Sequence, residues 1–121
     1  MGVTLKPGVV LDTEAPAVRH MIVRFAMYPE MLTVTAGRDG QHMAGSKHYI
    51  GEAVDLRAWG AEGEALRVRA RALEAALNAD PSPPVPFRVL VEEDLDGDGV
   101  NTTHLHAQVR MGYTWPKGGR T

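Results

Sequence analysis

The chain contains no cysteine, which removes disulfide frameworks, thiolate metal clusters and cysteine nucleophiles at one stroke. Any metal must then rest on His and carboxylate side chains. A surplus of positive charge is also missing: 13 Lys and Arg stand against 15 Asp and Glu, giving a formal net charge of −2 and a pI near 6.2. A basic footprint of the kind that tracks a nucleic-acid backbone or an anionic membrane is therefore not expected, and no nucleic-acid partner is assigned. No apolar run long enough to span a bilayer occurs, so no membrane insertion is expected. Met1-Gly-Val-Thr-Leu-Lys-Pro7 has no apolar stretch behind a basic start, and a chain made in the cytoplasm without a signal peptide is the expectation.

What is present suits one compact domain over residues 1–121, expected as a monomer. The 121 residues are 44% apolar, enough for a core without cross-links, since a folded chain of this length buries roughly two-thirds of its unfolded surface. Thr13, Glu14 and Pro16 read as a helix start, and Val18, Met21, Ile22 and Phe25 follow at i, i+3, i+4, i+7, up to a stop at Tyr28-Pro29. Met31–Ala36 is short and β-branched, a strand. Residues 37–51 hold four glycines among polar residues, a loop. Ala53–Ala58 reads as a second strand and residues 61–78 as a second helix, on the stripe Leu66, Ala70, Leu73 and Leu77. The prolines of residues 78–86 stop that helix. Phe87–Glu92 and His104–Met111 complete four strands, with an acidic loop between them and a frayed tail from Trp115 onward. The fold class expected is α+β, a small antiparallel sheet with two main helices packed against it.

The histidines carry the chemical signal. Along the last strand His104, His106, Gln108 and Arg110 share one face, while Leu105, Ala107, Val109 and Met111 share the other. Two imidazoles thus point together, away from the core. His48 lies in the glycine-rich segment, and seven residues on, Asp55 sits inside a strand between Val54 and Leu56. A carboxylate there is costly to bury unless a charge or a metal pairs with it. Two His and one carboxylate suit a catalytic zinc with its fourth position open to water.

Ser46-Lys-His48-Tyr-Ile-Gly51-Glu-Ala53-Val-Asp55 resembles the S-x-H-x-x-G-x-A-x-D signature of the zinc D-Ala-D-Ala carboxypeptidase and L-alanyl-D-glutamate endopeptidase family, which includes many phage endolysins. His104-Leu-His106-Ala-Gln108 resembles its second signature, H-x-H followed by a polar residue. The resemblance covers nearly the whole chain and implies the fold shared with the hedgehog signalling domain. It implies zinc on His48, Asp55 and His106, with His104 beside the metal stabilising the oxyanion or orienting water. A glutamate at the end of the preceding strand is the implied general base. Glu92 is preferred to Glu93 for that role, because it directly follows three apolar strand residues. The implied activity is hydrolysis of peptidoglycan stem peptides, by an enzyme released through a holin or carried in a virion. The alternative is a zinc-bearing structural or recognition domain of a virion that does no catalysis.

One departure matters: many members keep an acid three to six residues before the ligand histidine, whereas Glu92 lies fourteen before His106. Upstream of the first motif, Arg38 is expected to hold a substrate carboxylate or the oxyanion. His42 is a weaker substrate-binding candidate in the same segment. Ser46 reads as a hydrogen-bonding support near the substrate rather than a nucleophile, since no G-x-S-x-G elbow surrounds it. Asp94, Asp96 and Asp98 before Gly99 copy the first half of a calcium loop, but the acid due at position 12 is Leu105. Both Ca2+ binding and an ordinary acidic turn stay open there. His20, next to Arg19 and off the helical stripe, is expected at the surface. Tyr49, Trp59 and Tyr113 suit either a substrate groove or partial core.

Overall fold

The computed structural model describes residues 2–9, 15–37, 51–58, 63–79, 83–92 and 103–116. Among the described residues, five strands and two helices follow one another as β1 (Gly2–Leu5), α1 (Pro16–Met27), β2 (Met31–Ala36), β3 (Ala53–Arg57), α2 (Gly63–Leu77), β4 (Phe87–Glu92) and β5 (His104–Val109). The strands form one sheet in the order β1-β2-β3-β5-β4. The α+β class and the two helices agree with the sequence reading, but the sheet is mixed rather than antiparallel. β1, which the sequence reading left out, pairs parallel with β2 from Gly2↔Met31 to Leu5↔Val34. Four residues with only Val3 and Leu5 apolar give no local signal of a strand. Their pairing depends on α1 returning the chain alongside, the crossover that a parallel pair requires.

Both helices pack on one face of this sheet. Ala17, Val18, Met21 and Phe25 of α1 and Leu66, Ala70, Leu73 and Leu77 of α2 are buried against Leu32, Val34, Val54, Leu56, Phe87, Val89, Leu105, Ala107 and Val109. α1 starts at Pro16, with Ala15 as its N-cap and no side-chain cap, instead of at the expected Thr13, which lies outside the described residues. Pro at the first helical position needs no N–H partner and has φ set for the helix, so the start holds without a capping hydroxyl.

Two end features differ from expectation. His20 is half-buried: its Nε2 donates to the Leu77 carbonyl at 3.0 Å, and its ring stacks on Phe87 at 5.1 Å. A histidine there satisfies an orphan carbonyl of the last turn of α2, which turns an apparently surface position into a contact between helices. Trp115 is buried rather than frayed, with its ring 6.0 Å from Phe87 and its backbone N–H donating to Glu52 at 2.7 Å. Tyr113 is exposed, so it is not core.

β4 is an outer strand, and side chains at the end of α2 and just after it cover part of its edge. Asn78 pairs with both backbone groups of Phe87, at 2.9 and 3.0 Å, and Glu74 accepts the Val89 N–H at 2.9 Å. Satisfying an edge with side chains removes a template for unwanted strand pairing. Among the described residues no helix is long and apolar enough to cross a membrane.

Candidate metal and catalytic centre

The face of the sheet opposite the helices carries the candidate site, and strand register assembles it. β5 lies between β3 and β4, with Asp55↔His106 on one side and Glu92↔His104 on the other. Side chains at directly opposed positions project from the same face. Asp55, His104, His106 and Glu92 therefore stand together, while Leu56, Leu105 and Val91 between them point toward the helices. The fourteen-residue separation of Glu92 from His106 is cancelled by the β4–β5 pairing. The same pairing places Glu92 on this face; Glu93 lies outside the described residues.

Two local devices aim Asp55. Gly51 has φ 70°, a conformation that costs a glycine little and other residues much, and it turns the chain into β3. Opposite, the β2–β3 register runs Val34↔Leu56 and then Ala36↔Asp55, so Thr35 forms a bulge. The extra residue flips the alternation, carrying Ala36 from the core side to the Asp55 side.

His106 Nδ1 and Asp55 Oδ1 are 2.9 Å apart. His104 Nε2 lies 3.6 Å from Asp55 Oδ2 and 3.4 Å from Glu92 Oε2, and Glu92 Oε1 lies 3.7 Å from His106 Nδ1. Asp55 and His106 are buried, His104 is partly exposed, and the Glu92 side chain is 49% exposed. A gradient thus runs from a dry Asp–His pair to an acid open to solvent. Burial is the largest single influence on His106 and disfavours its charged form. It is outweighed by the hydrogen bonds to Asp55 and Gln108 together with the charges of Asp55 and Glu92, so the pKa sits above the ordinary imidazole value. The site therefore favours a cation.

The donors suit zinc in kind: imidazole nitrogen and carboxylate oxygen, without thiolate. Two ligand atoms on one tetrahedral zinc at about 2.0–2.1 Å stand about 3.3 Å apart, so taking up the ion at the 2.9 Å His106–Asp55 contact asks for an opening of a few tenths of an ångström. As they stand, no three His, Asp or Glu among the described residues form a metal cage. Asp55 and His106 contact each other directly, and His48, the third ligand implied by the resemblance, lies outside the described residues. Arg38, His42, Ser46, Tyr49, Trp59, Asp94, Asp96 and Asp98 lie outside them too.

Of two buried polar residues that the sequence reading gave no role, Gln108 stands on this face and Glu52 beside the start of β3. Gln108, two positions along β5 from His106, is buried, and its Oε1 accepts from His106 Nε2 at 2.7 Å. The alternation of β5 placed it on the right face, but no spacing rule marks an amide as a partner of a ring. Glu52 is also buried, accepting from Thr114 Oγ1 at 2.5 Å and from the Trp115 N–H at 2.7 Å. It ties the chain after β5 to the entrance of β3.

No protein-family model matches the chain, and neither a curated protein nor a solved structure is significantly similar to it.

Proposed function

We propose that the protein is a zinc peptidase acting on peptidoglycan stem peptides, with a peptidase fold of the hedgehog-like type. The observation that carries this reading is the convergence of Asp55, His104, His106 and Glu92 from three strands on the helix-free face, with contacts of 2.9–3.7 Å. Asp55, His104 and His106 belong to the two sequence signatures, and Glu92 adds a carboxylate at the solvent side.

His48, Asp55 and His106 would hold the metal. Zinc bound there supplies a Lewis acid for the scissile carbonyl and lowers the pKa of a coordinated water. Glu92 is exposed enough to meet both water and substrate. It takes the proton from the attacking water and returns it to the leaving amine, the general base and acid role of a carboxylate within hydrogen-bond reach. His104, 3.4 Å from Glu92, turns with that acid and donates to the oxygen on which charge develops. Arg38 is the proposed anchor for a substrate carboxylate, a task that a planar guanidinium suits. Ser46 and His42 are proposed to line the substrate side, and a calcium ion on Asp94, Asp96 and Asp98 would order the connection between Glu92 and His104. The proposed site of action is the bacterial wall, reached with a holin or from a virion.

The test is digestion of purified bacterial walls followed by mass spectrometry of the muropeptides. Release of a D-Ala or of a stem peptide, lost with chelator and restored by zinc, is expected from wild type. Glu92→Gln is expected to lose turnover by 100-fold or more on the order of a general-base deletion, while still binding zinc. A zinc-loaded wild type that releases nothing from walls of several peptide chemistries refutes the peptidase reading.

A further inference from the structure

We propose that Gln108, Arg88 and Arg110 form a subsite on the helix-free face that holds a carboxylate of the substrate, two or more residues from the bond that is cut. The inference deepens the peptidase reading and rests on it for where the reacting bond lies. It starts from the free end of one amide. Gln108 Oε1 accepts from His106 Nε2 at 2.7 Å, which turns the amide nitrogen away from the ring. The Gln108 side chain is 7% exposed, yet among the described residues its two amide N–H groups have no acceptor. That nitrogen is not sealed in, because among the described residues the side-chain polar atom closed off from both solvent and partners is Trp115 Nε1. A largely buried donor left open in this way suits an acceptor that arrives with a ligand.

The strand ladder sets two cations beside it. Arg88 is directly opposite Gln108 on β4, and directly opposed side chains project from the same face. Arg110 follows two positions after Gln108, and its backbone N–H donates to the Pro86 carbonyl at 2.9 Å. The β4–β5 register thus runs on past the strand ends, and alternation carries Arg110 to the same face. Both arginines are exposed, and among the described residues neither guanidinium is paired with an acid. On the other side, β3 places Ala53 opposite Gln108. Exposure rises from Ala53 at 1% through Gln108 to Arg88, so the amide is reached from the β4 side, where the guanidinium stands. A neutral N–H donor flanked by two planar cations suits a carboxylate, which accepts from both.

The position of the subsite limits which carboxylate it takes. β4 presents Arg88, Leu90 and Glu92 to this face, opposite Gln108, His106 and His104. A step of two residues along a strand is about 7 Å. Gln108 stands one such step beyond His106, with its amide nitrogen on the far side. One residue of peptide spans at most about 3.6 Å. With the scissile carbonyl at His106, a carboxylate on the adjoining residue falls short of the amide, and one two or more residues along reaches it. The subsite therefore selects internal cleavage of an anionic peptide over release of a single C-terminal residue. It adds to the anchor proposed for Arg38, since a stem peptide carries more than one carboxylate.

The experiment uses the full chain, 15N-labelled and metal-free, with the probe tetrapeptide L-Ala-γ-D-Glu-L-Lys-D-Ala, its two carboxylates free, singly amidated or both amidated. Side-chain 1H–15N signals of Gln108 and Arg88 report contact. Expected are a saturable shift of the Gln108 amide with the free acid, its loss with the fully amidated peptide, and weakening by added salt. Arg88→Gln and Arg110→Gln are each expected to lower the affinity about 2- to 5-fold. The singly amidated peptide that loses the shift identifies the carboxylate held, glutamyl or C-terminal. A fully amidated peptide that binds as well as the acid, binding that leaves the Gln108 amide unmoved, or no binding at millimolar peptide overturns the subsite. The wild-type spectra require no variant, so misfolding of a variant does not remove the test. Zinc-loaded protein that releases only single D-Ala residues from walls overturns the placement of the carboxylate and leaves the peptidase reading standing. Carboxylate-dependent binding without hydrolysis of any wall upholds the subsite and overturns the peptidase reading instead.

Discussion

Replacing Asp55 by Asn in the metal-free protein changes one charge at nearly constant shape, and its effect depends on pH in a direction fixed by His106. Asp55 Oδ1 is 2.9 Å from His106 Nδ1, both groups are buried, and the pKa of His106 lies above the ordinary imidazole value. The folded protein therefore keeps its proton to higher pH than the unfolded chain does. The stabilisation from this pair is fully present below the unfolded imidazole's pKa and fades as pH climbs through the folded one. With Asn at position 55 the main influences raising the pKa are gone while burial remains, so the charged ring becomes a buried cation poorly compensated. Breaking a buried pair by removing one member costs about 3–5 kcal/mol. The rotatable amide retains one hydrogen bond, which favours the lower figure, about 3 kcal/mol under acidic conditions. For a chain of this length that corresponds to about 10 °C or more in Tm. Above the folded pKa the ring is neutral in both proteins, and the penalty shrinks to within about 1 kcal/mol, that of a neutral hydrogen bond. Urea unfolding of both proteins with chelator, from pH 5.5 to 9, measures the difference directly. A cost that is constant across that range, or larger at its alkaline end, refutes the coupling between the two side chains.

Three further outcomes follow from the same geometry. Saturating zinc at 100 times its Kd stabilises a folded protein by about 2.7 kcal/mol; calorimetry should show that gain for wild type and none for Asp55→Ala, and an equal gain in both removes Asp55 from the ligand set. Asn78→Ala strips both backbone partners from Phe87 at the edge of β4; unsatisfied, half-buried peptide groups cost about 1–3 kcal/mol, read as a lower urea midpoint with unchanged zinc affinity. Leu73, fully buried between α2 and the sheet, should cost about 2–5 kcal/mol as Ala while leaving wall digestion per folded molecule unaltered, because its side chain lies on the face away from His106.

The sequence pattern was most legible where a feature repeats. The stripe Leu66, Ala70, Leu73 and Leu77 is the buried side of α2 residue for residue, and the alternation along His104–Val109 divides correctly into a site face and a core face. Both depend only on the local period of the backbone. The parallel pairing of β1 with β2 was not legible, because four residues with two apolar positions announce nothing until α1 brings Met31–Val34 beside them. The bulge at Thr35 was hidden for a related reason: it is a relation between two strands, and neither strand alone records it. His20 and Trp115 were misjudged because a polar or terminal position was read from its own neighbours, whereas their partners are Leu77, Phe87 and Glu52. Within the site, residue types and spacing single out Asp55, His104 and His106, whereas Glu92 is expected only from the resemblance. The contact of Gln108 with the ring two positions before it is a rotamer event that no spacing reveals.

The division of the sheet into two faces has a consequence for how such a centre is tolerated. Four ionisable groups of the site face, Asp55, Arg57, His104 and His106, are interleaved along β3 and β5 with Val54, Leu56, Leu105 and Ala107, all of which are buried toward the helices. Because the alternation has period two, the core is built entirely from one set of positions and the charges from the other. The hydrophobic contacts that hold α1 and α2 therefore do not pass through the site. What couples the faces is register: a slip of one residue between β3 and β5 would bury Asp55 against the helices and expose Val54, losing the core and the centre together. Ladder pairing from Ala53↔Gln108 to Arg57↔His104 is held at one end by Glu52, which carries the backbone contact to Val109 and the side-chain contacts to Thr114 and Trp115. The precision of the site is thus underwritten by the same residues that fix the sheet, while its chemistry remains free to vary on the face that the core does not use.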